Sequence, residues 1–261
     1  ATGNFVNNGT LSNSSATFTI AVAGNVTNNG TWQNGVTNLT GAGGTIALNA
    51  GSVTATGLNV NGDRTLATAD APAGGTWTVA AGVTLTVAAP AFTQTGTVTN
   101  DGSFTSAGTV NLNGNAGGAG TYAIGALVFG GGNQSIAGTY NVTTAAFAGS
   151  GTKSVDTTTI TGAVAVNAGV TVANPFTVAR TLTVNGPFVN NGVVTNSSAS
   201  FTLAAAGDFA NNGTMNNSAI NLTTPGAVVI GAGSSTTAAT TVSAARTVTA
   251  AAANVGGAWT V

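Results

Sequence analysis

Apolar and polar residues alternate one for one in short runs along most of this chain. Phe18, Ile20 and Val22 take turns with Thr and Ala. Val83, Leu85 and Val87 do the same, as do Leu182 and Val184. A period of two sends successive side chains to opposite faces, so each run predicts a short strand with one buried face. The Thr and Val that fill the runs are β-branched and favour strands. Gly and Asn-Asn-Gly clusters interrupt the runs every few residues, and both residue types tolerate the positive φ of tight corners. No segment has a helical period with caps, so essentially no helix is expected.

A short motif recurs at a fixed interval. Gly3-Asn4-Phe5-Val6-Asn7-Asn8-Gly9 returns about 21 residues later as Gly24-Asn25-Val26-Thr27-Asn28-Asn29-Gly30. It appears again as Gly186-Pro187-Phe188-Val189-Asn190-Asn191-Gly192 and Gly207-Asp208-Phe209-Ala210-Asn211-Asn212-Gly213, with the same spacing. A larger repeat contains the smaller one. Residues 3–79 align with 186–261 at an offset of about 182, so that Arg64-Thr65-Leu66 matches Arg246-Thr247-Val248 and Trp77-Thr78-Val79 matches Trp259-Thr260-Val261. Residues 80–185 form the remainder of the first module.

Short strands, frequent corners and a period of about 21 residues predict an all-β fold, a parallel β-solenoid (β-helix) of about a dozen rungs stacked at ~4.8 Å. A single continuous solenoid over 1–261 is the expectation. An array of Ig-like sandwiches would instead repeat near ~100 residues. The candidate core is Phe5, Phe18, Ile20, Trp32, Leu85, Leu182, Phe188, Phe201, Leu203 and Met215. Trp32 aligns with Met215, an exchange of large apolar types that a core position allows. The corners Asn7, Asn8, Gly9, Asn28, Asn29, Gly30, Asn190, Asn191, Gly192, Asn211, Asn212 and Gly213 are expected to stack as asparagine ladders.

Composition then narrows the function. Charged residues are 3% of the 261, against roughly 25% in an ordinary domain. There is no Glu, His or Cys. Most acid–base, metal and thiol chemistry lacks its side chains, so an enzyme is not expected and no cofactor is implied. A formal net charge of −1 offers no electrostatic capture of nucleic acid. No run reaches the ~18–20 apolar residues of a membrane helix, so no membrane insertion is expected. The chain opens Ala1-Thr2-Gly3 rather than with Met, which reads as a processed product or an excerpt.

The order of Gly132-Asn133-Gln134-Ser135-Ile136-Ala137-Gly138, then Gly149-Ser150-Gly151-Thr152-Lys153-Ser154-Val155, then Thr181-Leu182-Thr183-Val184-Asn185-Gly186 and the Asn-Asn-Gly motif resembles the repeats of very large secreted bacterial surface proteins, adhesin-like or autotransporter-passenger-like β-helices. That resemblance implies an extracellular, cell-surface location and a scaffold or adhesive role. It brings no catalytic residues with it.

Individual candidates are weak. Gly149–Ser154 lacks the Gly-Lys-Ser/Thr of a phosphate loop and reads as a glycine-rich corner with one exposed lysine, Lys153. Asp63, Asp70, Asp101, Asp156 and Asp208 are scattered, unlike the close carboxyl pair of a glycosidase. Arg64, Arg180 and Arg246 each precede Thr and an apolar residue, a position suited to bonding corner carbonyls. Tyr122, Phe129 and Tyr140 lie in the part of the module that the chain shows once, and are the candidates for a lateral binding face. The leading expectation is a structural segment of an extracellular filament or stalk, with itself as partner through end-to-end β-stacking or tandem repetition. An adhesin engaging a surface glycan is the alternative. An ice-binding solenoid is the third, and it would need Thr-x-Thr at one place in successive rungs, whereas the pairs wander in the sequence.

Overall fold

The computed structural model describes residues 2–13, 18–197 and 199–261. It is a parallel β-solenoid of about 13 turns, or rungs, with no helix among the described residues. The chain divides into two compact units, residues 1–127 and 128–261.

In the first unit a rung presents three inward-facing stretches, mostly short strands, and each pairs in parallel with its counterpart in the next rung. One rung runs Gly44–Leu48, Val53–Thr54 and Gly57–Val60. The next runs Arg64–Ala69, a bridge at Ala73, and Trp77–Val79, followed by Thr84–Val87, Ala91–Gln94 and Val98–Asn100. Three inner columns result. Phe5, Val26, Ile46, Leu66 and Val87 stack in the first. Leu11, Trp32, Thr54, Ala73, Gln94 and Leu112 form the second. Ile20, Thr37, Leu58, Trp77, Val98 and Ala116 form the third. The alternation that marks these strands in the sequence is the alternation of burial: Leu85 and Val87 point in, Thr84 and Thr86 out.

The second unit repeats the plan. Thr158, Leu182, Leu203, Ile220, Thr240 and Trp259 share a column. Val164, Phe188, Phe209, Val228 and Val248 share another, where the Phe188 and Phe209 rings stack with centroids 6.0 Å apart. Val172, Val194, Met215, Thr236 and Val255 complete the third.

Trp32, Leu85, Leu182, Phe188, Phe201, Leu203 and Met215 are fully buried. Phe18 is not core: it is 48% exposed. Its strand pairs Thr19 with Val36, which sets Phe18 against Gly35, a residue with no side chain to pack on. Phe5 and Ile20 are half-buried, each stacked by one neighbouring rung, at Val26 and Thr37. Rung length also departs from a constant 21. Phe5 and Val26 keep that interval, but Phe92 pairs with Val110 and Thr158 with Leu182. The longest rung holds its extra residues in a loop fastened by buried Asn174, which donates to the Val178 and Ser200 carbonyls and accepts the Phe176 N–H at 2.9 Å.

The motif glycines serve a different purpose from the one their sequence context suggests. Gly9, Gly30, Gly192 and Gly213 do not have positive φ, and no described non-glycine residue does either. What requires glycine is the approach of the rung below. A Cβ on Gly30 would overlap the Gly9 carbonyl oxygen, and one on Gly213 would overlap that of Gly192. At Gly9 a Cβ would meet nothing. Gly30→Ala and Gly213→Ala are therefore expected to destabilise the fold by about 1–3 kcal/mol, the usual cost of overpacking. Gly9→Ala should stay within about 0.5 kcal/mol. Denaturant unfolding of the three variants checks this, and equal losses would remove the close-approach explanation.

Candidate functional site

The polar side chains of the interior are organised around the Asn-Asn-Gly corners, where the two asparagines take opposite roles. The first of each pair, Asn7, Asn28, Asn190 or Asn211, turns inward and is buried. Asn7 Nδ2 donates to Asn28 Oδ1 at 2.9 Å, and Asn190 Nδ2 to Asn211 Oδ1 at 2.8 Å. Each Nδ2 also donates to a carbonyl of the next rung, Thr31, Val53, Thr214 or Ser235. Each Oδ1 accepts the N–H of the glycine two residues on, at 3.1–3.3 Å. In both modules the ladder ends on a threonine: Asn28 on Thr54 Oγ1 at 2.9 Å, Asn211 on Thr236 Oγ1 at 2.8 Å. A buried primary amide is costly unless its donors and acceptor are used, and here they are.

The second asparagine faces solvent and makes an outer ladder. Asn29 donates to Asn8 at 2.7 Å and accepts from Asn49, and Asn212 donates to Asn191 at 2.9 Å. A further outer pair joins Asn59 to Asn38 at 2.8 Å. Motif recurrence marks all twelve corner residues but not this division. Parity carries the missing signal, because Asn28 is in step with buried Val26 and Asn29 is not.

The cations are fastened to backbone carbonyls. Arg64 is buried, and its guanidinium lies beneath Gly44, where a Cβ would collide with it. Nη1 reaches the Gly24 carbonyl at 2.5 Å, while Nη2 reaches those of Val22 and Ala23. One side chain thus ties three successive rungs. Arg246 repeats the arrangement beneath Gly226, donating to the carbonyls of Gly207 at 2.9 Å and Ala206 at 3.3 Å. Burial lowers the pKa of both guanidinium groups. Arg180 pairs instead with Asp156 at 2.5 Å, with Phe176 under its guanidinium.

Lys153 is not exposed. It is fully buried, and its ammonium donates to the carbonyls of Gly131 and Gly132, the latter at 2.7 Å. The glycine-rich corner supplies bare carbonyls for the ammonium, and Lys153 shares the inward parity of Val155. Burial pulls its pKa down to about 8.

Tyr122, Phe129 and Tyr140 do not form a lateral face, because all three are interior. Phe129 packs edge-on to Tyr140 at 5.3 Å and stacks on Phe147. Tyr122 packs on Phe104, and its hydroxyl donates to the Gly117 carbonyl at 2.8 Å. The Tyr140 hydroxyl donates to that of Ala137 at 2.9 Å. The tips find carbonyls at the corner, so phenol rings fit a core this thin. Alternation points inward here too, since Tyr122 shares the parity of Ile124 and Tyr140 that of Val142.

Three carboxylates serve as rung connectors. Asp63 accepts the Thr84 N–H, Asp101 that of Ala119 and Asp208 that of Ala227, at 2.7–3.0 Å. Asn4, Asn25 and Asn133 do the same with their side-chain oxygens. Among the described residues there is no group of three or more His, Cys, Asp or Glu that could hold a metal ion. On the outer surface of the first unit Thr45, Thr65, Thr86 and Thr105 occupy one column over four rungs, with Thr105 Oγ1 donating to Thr86 Oγ1 at 3.2 Å. Threonines that wander in the sequence are thus aligned by unequal rung lengths. Comparison of the chain with protein-family models, curated proteins and solved structures finds no match.

Burial of Lys153 and Tyr122 predicts a particular alkaline stability profile. Lys153 has a depressed pKa in the fold, so the unfolded chain binds the extra proton between about pH 8 and 10.5, and stability rises with pH across that window. Burial raises the Tyr122 pKa above its ordinary 10.0, so above that pH the unfolded phenol ionises first and stability falls again. Chemical denaturation across pH should give a maximum near pH 10, with a rise on the order of 2 kcal/mol below it. Lys153→Met should abolish the rise, and Tyr122→Phe should lessen the fall.

Proposed function

We propose that this chain is a structural segment of an extracellular filament or stalk, extended by stacking one rung on the next. The observation that carries the reading is how the interior polar groups are used. Inner asparagines, arginines and corner carboxylates all connect rung to rung, and the asparagines and arginines recur about 182 residues apart. Such a module adds length without changing its contacts, as repeat architectures do. The resemblance to repeats of secreted bacterial surface proteins supports an extracellular setting. Every Lys and Arg side chain is engaged by carbonyls or by Asp156, which leaves little positive charge for nucleic acid.

The partner in this reading is more of the same solenoid, either further tandem modules or a second copy. Leu66 and Ala73 show that contact within the chain: both are fully buried under the rung of Val87 and Gln94. Further rungs would repeat that same contact. Electron microscopy of concentrated protein should give rods or filaments with a ~4.8 Å meridional repeat in the power spectrum. Compact particles lacking that repeat would overturn the reading.

The aromatic residues that suggest an adhesive lateral face are interior, so a surface glycan has no aromatic platform at Tyr122, Phe129 or Tyr140. The ice-binding reading gains one observation, the column of Thr45, Thr65, Thr86 and Thr105. Thermal hysteresis separates the two functions. A structural shaft produces none, whereas hysteresis that disappears in Thr86→Tyr would assign that face to ice.

A further inference from the structure

The chain contains several Asn-Gly pairs, the dipeptide most open to spontaneous deamidation because glycine leaves its own N–H unshielded. In that reaction the glycine backbone nitrogen loses its proton and attacks the asparagine Cγ. A new C–N bond closes a succinimide ring and the side-chain nitrogen leaves as ammonia. Water then opens the ring at either carbonyl, giving an aspartyl or isoaspartyl linkage. The step needs an N–H that can be deprotonated and an amide free to swing onto it.

Five of the eight pairs fall into two contrasting classes. At Asn29-Gly30, Asn191-Gly192 and Asn212-Gly213 the glycine N–H is held by the inner asparagine preceding the pair, at 3.2, 3.1 and 3.1 Å. A hydrogen bond to an acceptor favours the protonated form of its donor. The outer asparagine is meanwhile tied into its ladder, to Asn8 and Asn49 for Asn29, and between Asn191 and Asn212. Asn61-Gly62 and Asn185-Gly186 have neither restraint. Both asparagines are exposed and lie outside strands. Their own backbone N–H groups are bonded, to the carbonyls of Leu39 and Ile160. Among the described residues neither their side-chain amides nor the N–H groups of Gly62 and Gly186 have a hydrogen-bond partner.

We propose that, of these five pairs, Asn61 and Asn185 are the ones open to spontaneous deamidation, and that the inner asparagine of each Asn-Asn-Gly corner protects the outer one from it. The proposal is independent of the filament reading. Each conversion places one carboxylate on a chain whose formal net charge is only −1, and at Asn61 it does so two residues from Asp63.

The test is to hold the whole folded chain in mildly alkaline buffer, digest samples over time and read each Asn-Gly pair by mass spectrometry. Asn61 and Asn185 should convert at least about tenfold faster than Asn29, Asn191 and Asn212, the difference that one ordinary hydrogen bond represents. In denaturant all five should converge. Asn28→Leu should raise the rate at Asn29 toward that of Asn61. Leucine suits the position because Leu48 occupies it in the next rung. Asn211→Ile, matched by Ile230, should do the same for Asn212. Equal rates in the folded chain would overturn the proposal. So would a folded Asn28→Leu or Asn211→Ile protein whose neighbouring asparagine stays intact. If neither variant folds, the comparison of folded with denatured chain decides alone.

Discussion

Backbone-to-backbone distance between rungs is the constraint on which the rest of this structure depends. Parallel strands hydrogen-bonded at ~4.8 Å leave no room for a side chain wherever two corners stack closely. Glycine is then demanded by packing at Gly30 and Gly213, with ordinary φ. The same spacing brings identical side chains of successive rungs within hydrogen-bonding reach. That is why asparagine can occupy a buried corner: the residue that satisfies Asn7 is the one in the same place a rung later, Asn28. Where the next rung offers no asparagine, Thr54 or Thr236 closes the ladder.

Much of this is legible in the sequence. Strict motif recurrence is enough to pair Phe5 with Val26 and Phe188 with Phe209. Alternation places Leu85, Leu203 and Met215 inside. Legibility fails where chemistry is weighed above parity. Charge argues for Lys153 in solvent, and an unrepeated aromatic cluster argues for a ligand at Tyr122 and Tyr140. All three share the parity of buried neighbours. What the sequence leaves out is the partner: bare carbonyls at Gly131, Gly132, Gly117 and Ala137 that accept their polar ends. Rung length in the stretch without Asn-Asn-Gly is equally hidden. Extra or missing residues go into corners, and corners carry little hydrophobic pattern.

The polar content of the core also explains how so thin an interior specifies one register. Val, Ala and Thr columns would tolerate slippage between rungs, because one β-branched residue packs much like another. A slipped rung would strand an asparagine amide or a guanidinium without its partner, at a cost well above that of an exchanged methyl group. Register is set by a few buried hydrogen-bonding groups at intervals, with apolar columns filling the distance between them.

A solenoid whose rungs touch only their neighbours can fray from an edge one rung at a time, since each loss costs a single interface. Arg64 changes that locally. Its side chain starts in one rung, passes beneath Gly44 in the second and ends on the carbonyls of Val22, Ala23 and Gly24 in the third. The outermost of these rungs cannot peel away without leaving a guanidinium in the core of the other two. Arg246 binds its own three rungs in the same way. Under tension or at an edge, each arginine marks a point at which unravelling must release several rungs together or stop.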